Sequence, residues 1–208
     1  APFNVNANLF VRTLGLLFAM AFFTAQGARQ GDTVLAANAV LLQFIMLTSY
    51  ALDGFAHAAE SLIGRAFGRG DWHEFAATVR AAARFSFWTA GAAALLFALG
   101  GNALIALLTG LEEVRATAAQ YLPWMVVMPL IAVWSYLLDG VFIGTTAVRE
   151  MRNSIFIGLA AYLPVWWLTQ GLGNHGLWLA FMLFTLVRSA VLIIYYYFHY
   201  HRPYRLNH

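Results

Sequence analysis

Apolar residues fill six blocks of this chain, at 7–26, 34–64, 75–99, 114–144, 154–172 and 176–199, with glycines and charged residues gathered between them. Each block has about the 20 residues that a helix needs to cross the hydrocarbon of a bilayer. The pattern predicts an all-α integral membrane protein of six transmembrane helices. The second and fourth blocks are longer, so those helices are expected to tilt, bend or project beyond the bilayer. Pro123 and Pro129 lie inside the fourth block and Pro164 inside the fifth. Each removes a helical hydrogen bond, which a bundle tolerates where neighbouring groups re-satisfy the backbone.

Few polar residues interrupt these blocks, and their spacing is informative. Asp53, His57, Glu60 and Ser61 recur at intervals that put them on one face of the second helix. Asp139 lies in the fourth block and Arg188 in the middle of the sixth. An ionisable side chain is costly against lipid, so each should face other helices or a wet cavity, and each marks a functional site. At about 1.5 Å of rise per residue, Arg188 and Asp53 lie on the order of 15 Å from the ends of their helices, as does Asp139 if the fourth helix continues to Arg149. Glu60 is shallower, roughly one turn from that end. The shared depth nominates Asp53 and Asp139 as partners of Arg188.

The second and fourth blocks also share a tripeptide, at Leu52-Asp53-Gly54 and Leu138-Asp139-Gly140. This is a weak internal echo of the kind that transporters with repeated halves display. Gly64 with Gly68, and Gly140 with Gly144, form small-xxx-small pairs that permit close approach of helices.

Composition agrees with the blocks: 62% of residues are hydrophobic, 10% are charged, and mean hydropathy is +0.69. A soluble domain is about one-quarter charged, so a water-soluble globule is excluded. There are no cysteines, which excludes disulfides and thiol-based metal or nucleophile sites. A net charge of +3 and a pI near 9.5 raise the question of nucleic acid. The basic residues other than histidine are all arginine, however, and none form a stripe through polar sequence.

Membrane topology accounts for them better. Arg12, Arg65, Arg69, Arg80, Arg84, Arg149, Arg152, Arg202 and Arg205 fall at one end of the spans, and Arg29 and Arg115 at the other beside Asp32, Glu112 and Glu113. The positive-inside rule makes the first end cytoplasmic, with both termini of the chain there. The aromatic run Tyr195 to Tyr200 closes the last span, where an interfacial belt is expected. The chain begins at Ala1 with neither an initiator methionine nor a tripartite signal peptide, and it reads as a piece of something longer.

The chemistry available is that of charge exchange. A carboxylate beside a guanidinium in a low-dielectric site can trade a proton for a competing cation, which makes Asp139, Asp53 and Arg188 the ion-coupling candidates. The alternative for the same residues is a structural ion pair holding helices in register. His57, one turn beyond Asp53, is a candidate relay or a packed histidine. Glu60 is expected to bond the arginine-rich loop that starts at Arg65. Tyr50, Met46, Trp134 and Tyr136, among other aromatics, can line a chamber for flat cations through cation–π contacts. No His-Glu-x-x-His, Gly-x-Ser-x-Gly or phosphate-loop motif is present, so the motifs point away from an enzyme.

Two stretches carry a family resemblance. Ala51-Leu-Asp-Gly-Phe-Ala-His-Ala-Ala-Glu-Ser-Leu-Ile-Gly-Arg-Ala-Phe-Gly68 resembles the second helix of the C-terminal lobe of multidrug and toxic compound extrusion (MATE) transporters of the DinF-like branch. Leu138-Asp-Gly-Val-Phe-Ile-Gly-Thr-Thr-Ala-Val-Arg-Glu-Met-Arg-Asn153 resembles the fourth helix of that lobe and the loop after it. The resemblance implies one six-helix lobe, spanning residues 1–208, of a twelve-helix transporter of the MOP superfamily. It further implies alternating access and export of drugs or other organic cations across a bacterial cytoplasmic membrane, in exchange for protons or sodium and with no other cofactor.

Asp139 matches the acid that binds the coupling ion in some branches. A first-helix glutamate used in others has no counterpart, since residues 7–26 contain no acid. The partners implied are membrane lipid, a missing N-terminal lobe and small organic cations, not nucleic acid. A lipid-linked saccharide flippase of the same superfamily is the first rival, but it should present several cationic residues to its cavity, and Arg188 is the one in a span. An intramembrane enzyme using Asp53, His57 and Asp139 is the rival from another class.

Overall fold

The computed structural model describes residues 2–207, nearly all of them helical. Six long helices run in chain order: α1 (Pro2–Ala28), α2 (Asp32–Gly68), α3 (Trp72–Leu108), α4 (Glu112–Gly144), α5 (Val148–Leu168) and α6 (Asn174–Tyr196). A 3-10 turn (Gln170–Leu172) precedes α6, while a π-helical turn (Tyr197–His201) and α7 (Arg202–Asn207) extend it. Local sequence explains the breaks between helices. Gly31, Gly70 and Gly173 adopt positive φ at three connections, a region that glycine enters without a Cβ penalty. Asp71 caps α3 by accepting the Glu74 backbone N–H at 3.1 Å.

α1, α2, α3, α4 and the α6–α7 unit are long and apolar enough to cross a membrane. The fifth expected span is not among them: α5 is shifted from its apolar block 154–172 to Val148–Leu168, and its first turns carry Arg149, Glu150 and Arg152. The third is longer than expected, because α3 equals α2 at 37 residues, about 55 Å of helix against roughly 30 Å of hydrocarbon. α4 continues through Pro123 and Pro129 but ends at Gly144 rather than near Arg149. Asp139 thus lies roughly 8 Å from its helix end, shallower than expected.

α4 is apolar on every side and sits at the centre, packed against α2, α3 and α6, as a helix without a polar face must be. Its crossing with α2 is the most extensive contact in the bundle. A Cβ added at Gly64 would lie 2.7 Å from the Gly144 carbonyl oxygen, and one at Gly144 would lie 2.7 Å from that of Glu60. Gly140 stands over the Ala56 carbonyl in the same seam, whereas Gly68 meets nothing. Three of the four small residues therefore serve the contact. The aromatic run at the end of α6 does more than form a belt. Tyr197 and Phe198 are exposed, but Tyr200 is buried, and its hydroxyl lies 2.6 Å from Thr145 Oγ1 at the end of α4.

Candidate functional site

A cavity of about 340 Å³ opens between four helices. α1 contributes Arg12 and Leu16, and α2 contributes Asp53, Ala56, His57 and Glu60. α4 adds Tyr136, Asp139, Gly140 and Ile143, and α6 adds Arg188. The helical spacing of the α2 residues and the glycine seam below them aim one face of α2 at this space.

One wall is a charge cluster. Arg12 Nη2 donates to Asp139 Oδ2 at 2.8 Å, and Arg188 Nη2 donates to the same oxygen. Asp139 and Arg188 are buried, and Arg12 is half-buried. Among the described residues, Asp139 Oδ1 and the Nε atoms of both arginines are buried without hydrogen-bond partners. Two guanidiniums on one carboxylate leave the cluster with one surplus positive charge. Charge-assisted bonds of this kind are strong, and removing the carboxylate would leave a buried and a half-buried cation unpaired.

The wall that α2 contributes is acidic. Asp53 is half-buried and makes no hydrogen bond or ion pair among the described residues. Glu60 Oε2 lies 3.7 Å from His57 Nδ1, one turn away. Tyr136 is held at the cavity by a short hydroxyl–hydroxyl hydrogen bond to Ser49 of α2.

The structure thus gathers Asp53, His57, Glu60, Tyr136, Asp139 and Arg188 in one place, and of the two expected partners of Arg188 it selects one. Arg188 takes Asp139 and leaves Asp53 free. Glu60 lies beside His57 rather than bonding the arginine-rich segment, whose Arg65, still within α2, donates to Ser61 Oγ at 3.3 Å. Met46 and Tyr50 are exposed on the outside of α2. Trp134 packs among Leu52, Ala90 and Val133 and stacks on Phe87, away from the cavity.

Arg12 requires a correction, since it does not lie at the end of its helix. The helix begins at Pro2 rather than Ala7, which puts Arg12 about 15 Å inside it. The long guanidinium then reaches Asp139. Counting depth from the true helix start is the signal that would have found it.

A second buried polar group had no sequence signature beyond a lone amide in an apolar run. At the opposite end of the bundle, Asn38 Nδ2 donates to Asn174 Oδ1 at 2.9 Å, and Asn174 Nδ2 donates to Asn38 Oδ1 at 2.8 Å. Trp178 Nε1 adds a bond to Asn38 Oδ1 at 3.0 Å, and Gln30 Nε2 reaches Asn174 Oδ1 at 3.3 Å. The first turn of α6 is thereby locked to α2.

The MatE family profile matches residues 8–168 of this chain. The chain belongs to the MatE family. It is 40% identical over 188 residues to DNA damage-inducible protein F of Escherichia coli (strain K12), a match covering 90% of this chain and 41% of that protein. It is 24% identical over 184 residues to Protein DETOXIFICATION 42 of Arabidopsis thaliana, covering 88% of this chain and 36% of that one. A crystal structure of MATE in the bent conformation superposes with a TM-score of 0.81 at 16% identity, over 94% of this chain and 44% of its own. A MOP superfamily transporter from Pyrococcus furiosus, described as having a binding pocket of reversed polarity, gives a TM-score of 0.82 at 17% identity, over 95% and 44%. This MatE chain therefore has a MATE-like six-helix fold, is a multi-pass membrane protein, and spans less than half the length of these relatives.

Proposed function

We propose that this chain is the C-terminal six-helix lobe of a twelve-helix antiporter in a bacterial cytoplasmic membrane, exporting organic cations in exchange for protons, with both ends of the chain on the cytoplasmic side. One observation carries this reading: the cavity separates a carboxylate with no ion partner, Asp53, from one already held by two guanidiniums, Asp139. Asp139 already has its charge balanced by the guanidiniums on Oδ2, so a mobile cation there competes with two resident ones. Asp53 has no such resident partner, so its carboxylate is the group that a proton and a cationic cargo exchange on, while Tyr136 offers a ring face to the cargo. Glu60 and His57 extend the acidic wall toward the end of α2. The saccharide-flippase reading is disfavoured on a revised ground. Two arginines reach the cavity rather than one, yet both are engaged by Asp139, and the acids of α2 would repel a pyrophosphate.

The test is proton-driven accumulation of ethidium by proteoliposomes holding the intact transporter. Asp53→Asn should abolish accumulation in protein that still folds, and accumulation at the wild-type rate would overturn the assignment. Half of a two-lobed chamber cannot alternate access, so the 208-residue chain reconstituted as a monomer should show no antiport.

A further inference from the structure

α1 is fully buried in the bundle along only part of its length. Its buried residues, Gly15, Ala19, Phe23 and Gly27, all lie toward the α1–α2 connection, and from Pro2 to Leu14 no residue is buried. The boundary at Gly15 is tight: a Cβ there would lie 2.5 Å from Ile155 Cγ2 of α5. Before that point the apolar packing is thinner, with the partly buried Val5 and Leu9 against the core, and two polar ties supplement it. Arg12 Nη2 donates to Asp139 Oδ2 at 2.8 Å, and Arg152 Nη1 donates to Asn8 Oδ1, also at 2.8 Å. α1 otherwise hardly touches α4.

Arg12 is also surplus to the charge balance. Arg188 neutralises Asp139 by itself, and its side chain is 8% exposed against 18% for Arg12. Arg12 bonds Asp139 through one nitrogen from the cavity wall. If it lets go, a buried one-to-one pair remains, and the freed guanidinium is left in the cavity that Asp53 and Glu60 also line. A buried pair that loses its sole counter-ion is strongly destabilised, but Asp139 does not face that outcome here.

We infer that Arg12 is a positioning residue of the transport site. Its guanidinium is a releasable counter-ion that sets the first half of α1 as a wall of the cavity, pivoting at Gly15, while Arg188 keeps Asp139 neutralised whether or not α1 is docked. The inference rests on reading the cavity as the cargo site.

The test uses the intact transporter in nanodiscs, with spin labels at Phe10→Cys on α1 and Phe87→Cys on α3, both exposed. The wild type should give one narrow distance distribution, Arg12→Ala should add a second population, and Arg12→Lys, which keeps a charge for the single contact, should restore the narrow one. Arg12→Ala should also slow proton-driven ethidium transport by on the order of tenfold, the scale of losing one coupling between sites, with rescue by Arg12→Lys. A wild-type distribution in Arg12→Ala, a Lys variant as broad as the Ala variant, or an Arg12→Ala protein that does not fold would each overturn the inference. If the wild-type transporter moves no ethidium at all, the cargo reading fails, while the label distances still decide the role of Arg12.

Discussion

The two buried polar clusters lie toward opposite ends of the bundle and are built differently. In the amide cluster, Asn38 and Asn174 exchange both of their side-chain bonds, Trp178 and Gln30 add two more, and the net charge is zero. In the charge cluster, two guanidiniums crowd one oxygen of Asp139, leaving one carboxylate oxygen and two Nε atoms without partners. A satisfied neutral network has nothing to gain from rearrangement and locks α2 to α6. A cluster with surplus charge and unused bonding groups has other arrangements close in energy, and it borders the cavity. Buried polar groups in a membrane bundle can therefore be sorted into fasteners and working parts by how completely they are satisfied.

That comparison can be broken by substitution, and the largest effect is expected at Asp139. Asp139→Asn keeps the shape but leaves a buried and a half-buried guanidinium without a counter-charge. It should lower stability by about 3–5 kcal/mol, seen as a depressed thermal midpoint in detergent. Asn38→Ala strands the Trp178 indole N–H and one Asn174 amide, and should cost about 1–3 kcal/mol. It should leave ethidium affinity unchanged, and a changed affinity would mean that the two clusters are not separate. Gly144→Ala drives a methyl to 2.7 Å from the Glu60 carbonyl oxygen. The backbone cannot yield as a side chain could, so about 1–3 kcal/mol should be lost together with some transport rate, since Glu60 and the seam move together. Asp53→Asn should change stability by no more than about 0.5 kcal/mol, because it breaks no bond, yet it should have the largest effect on transport. A large stability loss there would show that Asp53 is a fastener after all.

The helices were readable because each needs only its own residues: an apolar run of sufficient length, a glycine or cap at its end, and the 3.6-residue period that puts Asp53, His57 and Glu60 on one face. The small residues of the α2–α4 seam were legible for the same reason, except that Gly68 lies past the crossing. The pairings were not readable, because they depend on which helices become neighbours and at what height. The apolar block around Arg12 begins only at Ala7, whereas its helix starts at Pro2, and the extra turns bring Arg12 to the cavity. Asp139 and Asp53 carry the same tripeptide, and no local signal says which of them meets Arg188.

The chain by itself determined its environment, its six-helix plan, the face of α2 that would be polar and the family it resembles. These follow from hydrophobicity, periodicity and motif, which act within a helix or over a few turns. Only the tertiary structure decided that Arg12 joins Arg188 on Asp139, that Asp53 is left free, that Asn38 and Asn174 clasp each other and that Tyr200 folds under α4. The physical reason is that charge and hydrogen-bond pairing fall off within a few ångströms. Partners far apart in the chain are therefore chosen by helix packing and by where each helix begins, which no short stretch of residues encodes alone.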